Sequence, residues 1–278
     1  MPNPEQSPRT TARYLHAFQG LLLRDLYVLR RELFPFVIRI CMNPLLFLFV
    51  FTYIMPHMTA GANPTTALAA SNGGFGTVIL PGLMAVAIMF SGIAAVALPL
   101  AQEFGITREI DDRVMCPLPV SFVALEKIFF SAMQSVLAAV VVFPLAYYIP
   151  TEPVKVHVSS WLFLIVVVTL ASLTAGALGL VIGTSVKPQQ IGLIFGVVIM
   201  PITFLGCVYY PWAALNHLRW LQTFVLINPI VYMSEGLRAA LTPSLPSMSH
   251  IAILIMLTVS LIVLSYVGIR GFTHRVIG

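Results

Sequence analysis

The residues of this chain that could do chemistry are few, and their spacing narrows what that chemistry is. Lys127, Lys155 and Lys187 are followed by Ile, Val and Pro. A P-loop needs a Ser or Thr after its lysine, so this chain does not bind ATP in that way. Six histidines, His16, His57, His157, His217, His250 and His274, show no HxxxH or HxH spacing, which argues against a zinc site. Cys41, Cys116 and Cys207 form no CxxC and cannot build a disulfide framework. A GxSxG nucleophile elbow is absent. Gly73-Gly74-Phe75-Gly76 has no following Lys-Ser/Thr and reads as a linker. The expectation is a chain with no catalytic motif, metal or cofactor of its own.

Charge is the second kind of chemistry, and it is concentrated. Residues 102–127, QEFGITREIDDRVMCPLPVSFVALEK, hold Glu103, Arg108, Glu109, Asp111, Asp112, Arg113, Glu126 and Lys127. No charged residue stands between Arg39 and Glu103. One charge at a bilayer centre costs roughly 2.5–3.5 kcal/mol on insertion scales, so a cluster of this size must face water or another protein. The rest of the chain supports that setting. It is 59% apolar and 9% charged, whereas soluble domains are about 25% charged. The sequence describes a polytopic membrane protein with one membrane domain. Its net charge of +5 sits beside apolar runs, where topology explains it better than nucleic-acid binding does.

Six apolar segments, near 36–56, 77–101, 128–149, 161–186, 190–210 and 250–269, reach or approach the ~20 residues a crossing helix needs. With a cytoplasmic N-terminus, twelve Lys and Arg fall inside and only Lys155, Arg219 and Arg238, three in all, fall outside. That bias places both termini and the loop 102–127 in the cytoplasm of a multi-pass plasma (inner) membrane protein. Gly179 and Gly183 have GxxxG spacing, which suits close helix packing within the chain or against another subunit.

Residues 1–10 are polar and Pro-rich and read as a disordered tail; 11–278 read as a single transmembrane domain. The opening MPNPEQSPRTTAR lacks the apolar core of a signal peptide. Residues 11–34 form an amphipathic interface helix. Leu15, Phe18, Leu22, Leu26, Leu29 and Leu33 line one stripe, with Arg13, Arg24 and Arg31 on the opposite face near membrane lipid headgroups. Such a helix anchors topology or guides substrate towards a lateral opening.

Residues 211–249 form the outer loop. Within it, WLQTFVLINPIVYM (220–233) is apolar, too short to cross, and broken at Asn228-Pro229. The pattern predicts two short helices forming a re-entrant hairpin. Glu235 and Arg238, at i,i+3, can pair on its second arm. Tyr210, Pro211, Trp220 and Tyr232 belong to the same outer gate, either as interfacial anchors or along the substrate path.

These features together resemble the permease subunit of type-2 ABC transporters, in its drug- and lipid-exporting branch. Two motifs carry the resemblance. One is Glu103-Phe104-Gly105-Ile106-Thr107-Arg108-Glu109, running on to Cys116-Pro117-Leu118-Pro119. The other is Phe204-Leu205-Gly206 with Tyr210-Pro211, Trp220-Leu221, Asn228-Pro229-Ile230-Val231-Tyr232 and Glu235-Gly236-Leu237-Arg238. The family often has Arg or Lys where Phe104 stands. The resemblance implies an all-α fold of six transmembrane helices. It also implies a coupling helix within 103–116 that seats on a separate ABC ATPase, with two ATPase copies and a second permease, identical or homologous, completing the exporter. ATP and Mg would belong to that partner. Glu103, Phe104, Gly105, Ile106, Arg108, Glu109 and Arg113 would make the coupling contact. The cargo would be an amphipathic lipid, lipid-linked glycan or hydrophobic drug.

Two alternatives stay open. An ion-coupled carrier needs an ionisable residue in mid-span, and a lipid-modifying membrane enzyme needs a clustered nucleophile or acid–base pair. The sequence displays neither.

Overall fold

Long uninterrupted apolar runs become long helices, because a helix satisfies every backbone N–H and C=O within its own segment. The computed structural model describes residues 7–50, 54, 75–104, 119–149 and 154–277, and among them there is no strand. In chain order the helices are α1 (Ser7–Arg31), α2 (Leu33–Phe49), α3 (Phe75–Gln102), α4 (Val120–Tyr148) and α5 (Trp161–Ser185). A shorter apolar helix, α6 (Ile191–Phe204), follows. Then come α7 (Arg219–Phe224), α8 (Pro229–Leu241) and α9 (His250–Ile277).

Four of these, α3, α4, α5 and α9, are long and apolar enough to cross a membrane. A fifth crossing exists if α1 and α2, bent by 73° at Glu32, are counted as one broken span. The remaining expected span, 190–210, is α6. A π-helical turn at Phe195–Ile199 interrupts it, and at 1.5 Å per residue it reaches about 21 Å, short of the ~30 Å hydrocarbon core. Helix α1 begins at Ser7.

Helix α3 is the hub. Of its most apolar stretch 78% is buried inside the protein, against 17% for α9, which therefore turns most of its surface outward. Lipid tails are as apolar as Leu, so packing density and small residues, not escape from water, hold such helices together. Glycines on α5 show how. A Cβ on Gly179 would lie 2.9 Å from the Ile93 Cα of α3, and one on Gly176 would lie 2.7 Å from the Ser131 Oγ of α4. Ser131 Oγ in turn donates to the Gly92 carbonyl at 2.9 Å. The GxxxG face is thus used within the chain. Around it, Leu83, Ile88, Val167, Leu237 and Ile253 join α3, α5, α8 and α9 in the main core.

The apolar stripe of α1 packs on protein as well. Phe18 meets Phe129 of α4 edge-on at 6.2 Å. Leu29, Phe36 and Ile40 form a cluster with Ala87 of α3 and Ala138 and Val142 of α4.

Candidate functional site

Chemistry gathers at the two ends of the bundle and in two cavities. At one end α3 runs out and α4 begins, so the root of the 102–127 segment is held here. Sequence pattern starts the fourth helical segment at 128, after the charged pair Glu126-Lys127. In the structure α4 starts eight residues earlier, at Val120, and both side chains are buried. Lys127 Nζ donates to Glu103 Oε1 at 2.9 Å. This ion pair, about 5% exposed at each partner, clamps the last turn of α3 to α4 across the loop. Glu103 is accordingly turned into the protein. A buried charge needs such a partner, because removing it from water costs several kcal/mol that only pairing offsets.

Phe104, the next residue, lies against Phe272 of α9 at 6.1 Å between ring centroids. Arg275 sits over its ring at 4.6 Å, a cation–π geometry. The same guanidinium donates to the carbonyls of Gly183, Thr184 and Val186 at 3.1, 3.0 and 2.9 Å. Carbonyls at a helix C-terminus have no intrahelical donor, so Arg275 caps α5 while covering the loop root. Arg275's bonds span about ninety residues, beyond any local pattern in the sequence. Gly105, Ile106, Arg108, Glu109 and Arg113 lie outside the described residues.

At the opposite end, α7 ends at Phe224, a 3-10 turn spans Val225–Ile227, and α8 begins at Pro229. Asn228 is the N-cap of α8: its Oδ1 accepts from Ile230 N at 3.1 Å, with Pro229 at the first helical position. Its Nδ2 donates to the Ile202 carbonyl at 2.6 Å, tying α8 to α6. Residues Ile230–Leu241 of α8 are all buried. Glu235 and Arg238 form the expected i,i+3 ion pair, fully buried on both sides. Glu235 Oε1 also accepts from Trp212 N at 2.9 Å, and Oε2 accepts from Met248 N at 3.2 Å. Arg238 Nη2 donates to the Cys207 carbonyl at 3.1 Å. Cys207 has φ 52°, the left-handed region that non-glycine residues enter only at a cost.

The node therefore gathers four chain segments: the turn at 207, the turn at 212, α8 and the approach to α9. Tyr232 is buried, its hydroxyl donating to the Leu226 carbonyl at 2.8 Å. Tyr210 and Pro211 are half-buried, and Tyr210 donates to the Phe204 carbonyl at 3.5 Å. Trp220 is 71% exposed and stands apart from the node.

Two cavities sharing a wall run inward from the Glu103–Lys127 end. The first, about 450 Å³, is lined by Arg24, Asp25, Glu32, Arg39, Glu103 and Lys127 among others. The second, about 370 Å³, is apolar and runs past Ile40, Val86, Phe90 and Phe195. Of the interface-helix arginines, Arg24 reaches the first cavity and Arg31 is exposed at the end of α1. Arg13 falls on the opening turns of α1. Among the described residues no cluster of His, Cys, Asp or Glu could hold a metal.

No curated protein matches the chain in sequence. The family model described as "ABC-2 type transporter" matches residues 16–242. That interval runs from α1 to the end of α8, taking in the Glu103–Lys127 clamp, both cavities and the Glu235–Arg238 node. The chain is thus a multi-pass membrane component of an ABC transporter and belongs to the ABC-2 type transporter family.

Proposed function

We propose that the protein is the permease of an ATP-driven exporter in the plasma membrane, carrying an amphipathic cargo while a separate ABC ATPase supplies the energy. The observation that carries this reading is the buried Glu103–Lys127 pair at the root of the 102–127 loop. A loop transmits a push only if its ends are fixed to the helices that must move. Here one end is fixed to α4 by an ion pair and to α9 by Phe104, Phe272 and Arg275.

In this reading the loop faces the cytoplasm, and Arg108, Glu109 and Arg113 carry the contact with the ATPase. Glu103 and Phe104 hold the loop's root, and Gly105-Ile106 join root to contact. Two ATPases and a second permease complete the assembly. α1 lies at the cytoplasmic membrane surface, α6 with the adjoining turn makes the remaining crossing, and α7–α8 form the outer re-entrant hairpin. The buried Glu235–Arg238 node keeps that hairpin rigid, so the outer gate moves as a body.

The test is transport in proteoliposomes holding the chain with its co-expressed ATPase. Uptake of a fluorescent lipid or dye should require ATP and should stop when the ATPase carries an inactivating P-loop lysine substitution. Uphill movement by the permease alone, driven by an ion gradient, would overturn the reading.

A further inference from the structure

The two cavities share Arg39, Ala94 and Leu98, so a single ligand can occupy both. Each falls within the ~300–1,000 Å³ typical of small-molecule sites. Their chemistry is opposite. One is rimmed by six charged side chains; the other, Arg39 and Ser91 aside, is lined by apolar residues. The charges of the first are mostly committed. Lys127 is paired with Glu103, and Arg24 and Asp25 each have a partner within the chain.

Arg39 differs. It is exposed, it lines both cavities, and among the described residues it makes no hydrogen bond or ion pair. Glu32 also lines the charged cavity, but at the elbow seven residues before Arg39, which is about 10 Å along the helix axis. The accessible charge at the junction with the apolar slot is therefore the guanidinium. A guanidinium presents a planar fork of donors matched to carboxylate or phosphate, and it pairs more strongly the less water surrounds it.

We propose that this double cavity binds a membrane-borne anionic amphiphile, with its acidic headgroup on Arg39 and its hydrocarbon tail in the slot past Ile40, Val86 and Phe90. This deepens the transport reading by naming the class of cargo, and it rests on that reading for the cargo's onward passage. Arg39 then acts as the residue that selects headgroup charge, while the slot is indifferent to it.

The experiment uses the full chain with its co-expressed ATPase, free of nucleotide, in phosphatidylcholine nanodiscs. Binding of two probes with the same fluorescent tail, a phosphatidylglycerol and a phosphatidylcholine, is measured. The wild type should hold the anionic probe at least ~10-fold more tightly. R39Q should erase that preference by weakening the anionic probe ~10-fold with the neutral probe unchanged, and R39K should keep part of it. A87W, which narrows the slot, should weaken both probes alike. Equal binding of the two probes by the wild type overturns the proposal, as does R39Q weakening both equally. The R39K series and the wild-type preference decide the matter even if R39Q does not fold. Binding is read without ATP, so a failure here is distinguishable from a failure of ATP-driven transport.

Discussion

Glu235 accepts from two backbone amides as well as from Arg238, and Arg238 spends another donor on the Cys207 carbonyl. Removing one partner of a fully buried pair strands the other charge, which costs about 3–5 kcal/mol. E235A should therefore lower the melting temperature and speed hydrogen exchange across 211–238, and E235Q should do less, because its amide oxygen can still accept. Unaltered exchange in E235A would count against the node as the anchor of this end of the bundle. The spacing of Glu235 and Arg238 made their pairing legible in the sequence, since i,i+3 residues share a helix face. Their backbone partners at 207, 212 and 248 were not, because nothing local ties those turns to α8. Charge misled at 126–127 for a related reason. Glu126 and Lys127 looked like water-facing residues because Lys127's partner, Glu103, stands 24 positions away.

At the scale of elements, helix existence followed from apolar run length: α3 and α5 match the expected spans to within two residues, while α4 begins eight residues early and α9 runs eight residues longer. What escaped is how helices end and break. The π turn in α6 holds Gly196 and is followed two residues later by Pro201. The elbow at Glu32 comes three residues before Pro35, whose missing N–H leaves the Arg31 carbonyl without its helical donor. A reading by apolar run length gives such prolines no weight as breaks. Close approach between elements depends on single glycines that composition does not rank. A Cβ on Gly82 of α3 would fall 1.9 Å from the Val208 carbonyl oxygen, whereas one on Gly20 of α1 meets nothing within 4 Å. G82A should destabilise the packing of α3 on the 207–208 turn by more than ~3 kcal/mol, as overpacking against backbone leaves no side chain to yield. G20A should be neutral or stabilising by up to ~1 kcal/mol, through helix propensity alone. Thermal melts of the two variants in detergent check both, and similar melting temperatures would refute the packing argument.

At the scale of the whole molecule, the described bundle is held at one end by the Glu103–Lys127 clamp, where the cavities begin, and at the other by the Glu235–Arg238 node. If the first clamp joins the loop to the moving helices, breaking it should separate ATP hydrolysis from transport before it unfolds the bundle. E103K places two ammonium groups together at a buried site and should cut cargo moved per ATP several-fold. The exchanged pair E103K/K127E restores opposite charges and should recover a good part of that ratio. Proteoliposome assays that count both quantities decide it: an exchanged pair no better than E103K, in protein that melts normally, would argue that the pair only stabilises. Most of the architecture was readable in advance because crossing a bilayer leaves few options. The cavities were not readable, since the first depends on how α1, α2, α3 and α4 diverge and the second on α2, α3 and α6.

The guanidinium of Arg275 has a consequence for biogenesis. Its bonds to the end of α5 join residues 92, 91 and 89 positions apart. Those carbonyls therefore wait, in the nascent protein, until the ribosome has made α9 and the membrane has received it. If the 102–127 loop is where an ATPase engages, its root is thus completed late in synthesis, after α3, α4 and α5 have been made, so half-made chains lack a finished handle to offer.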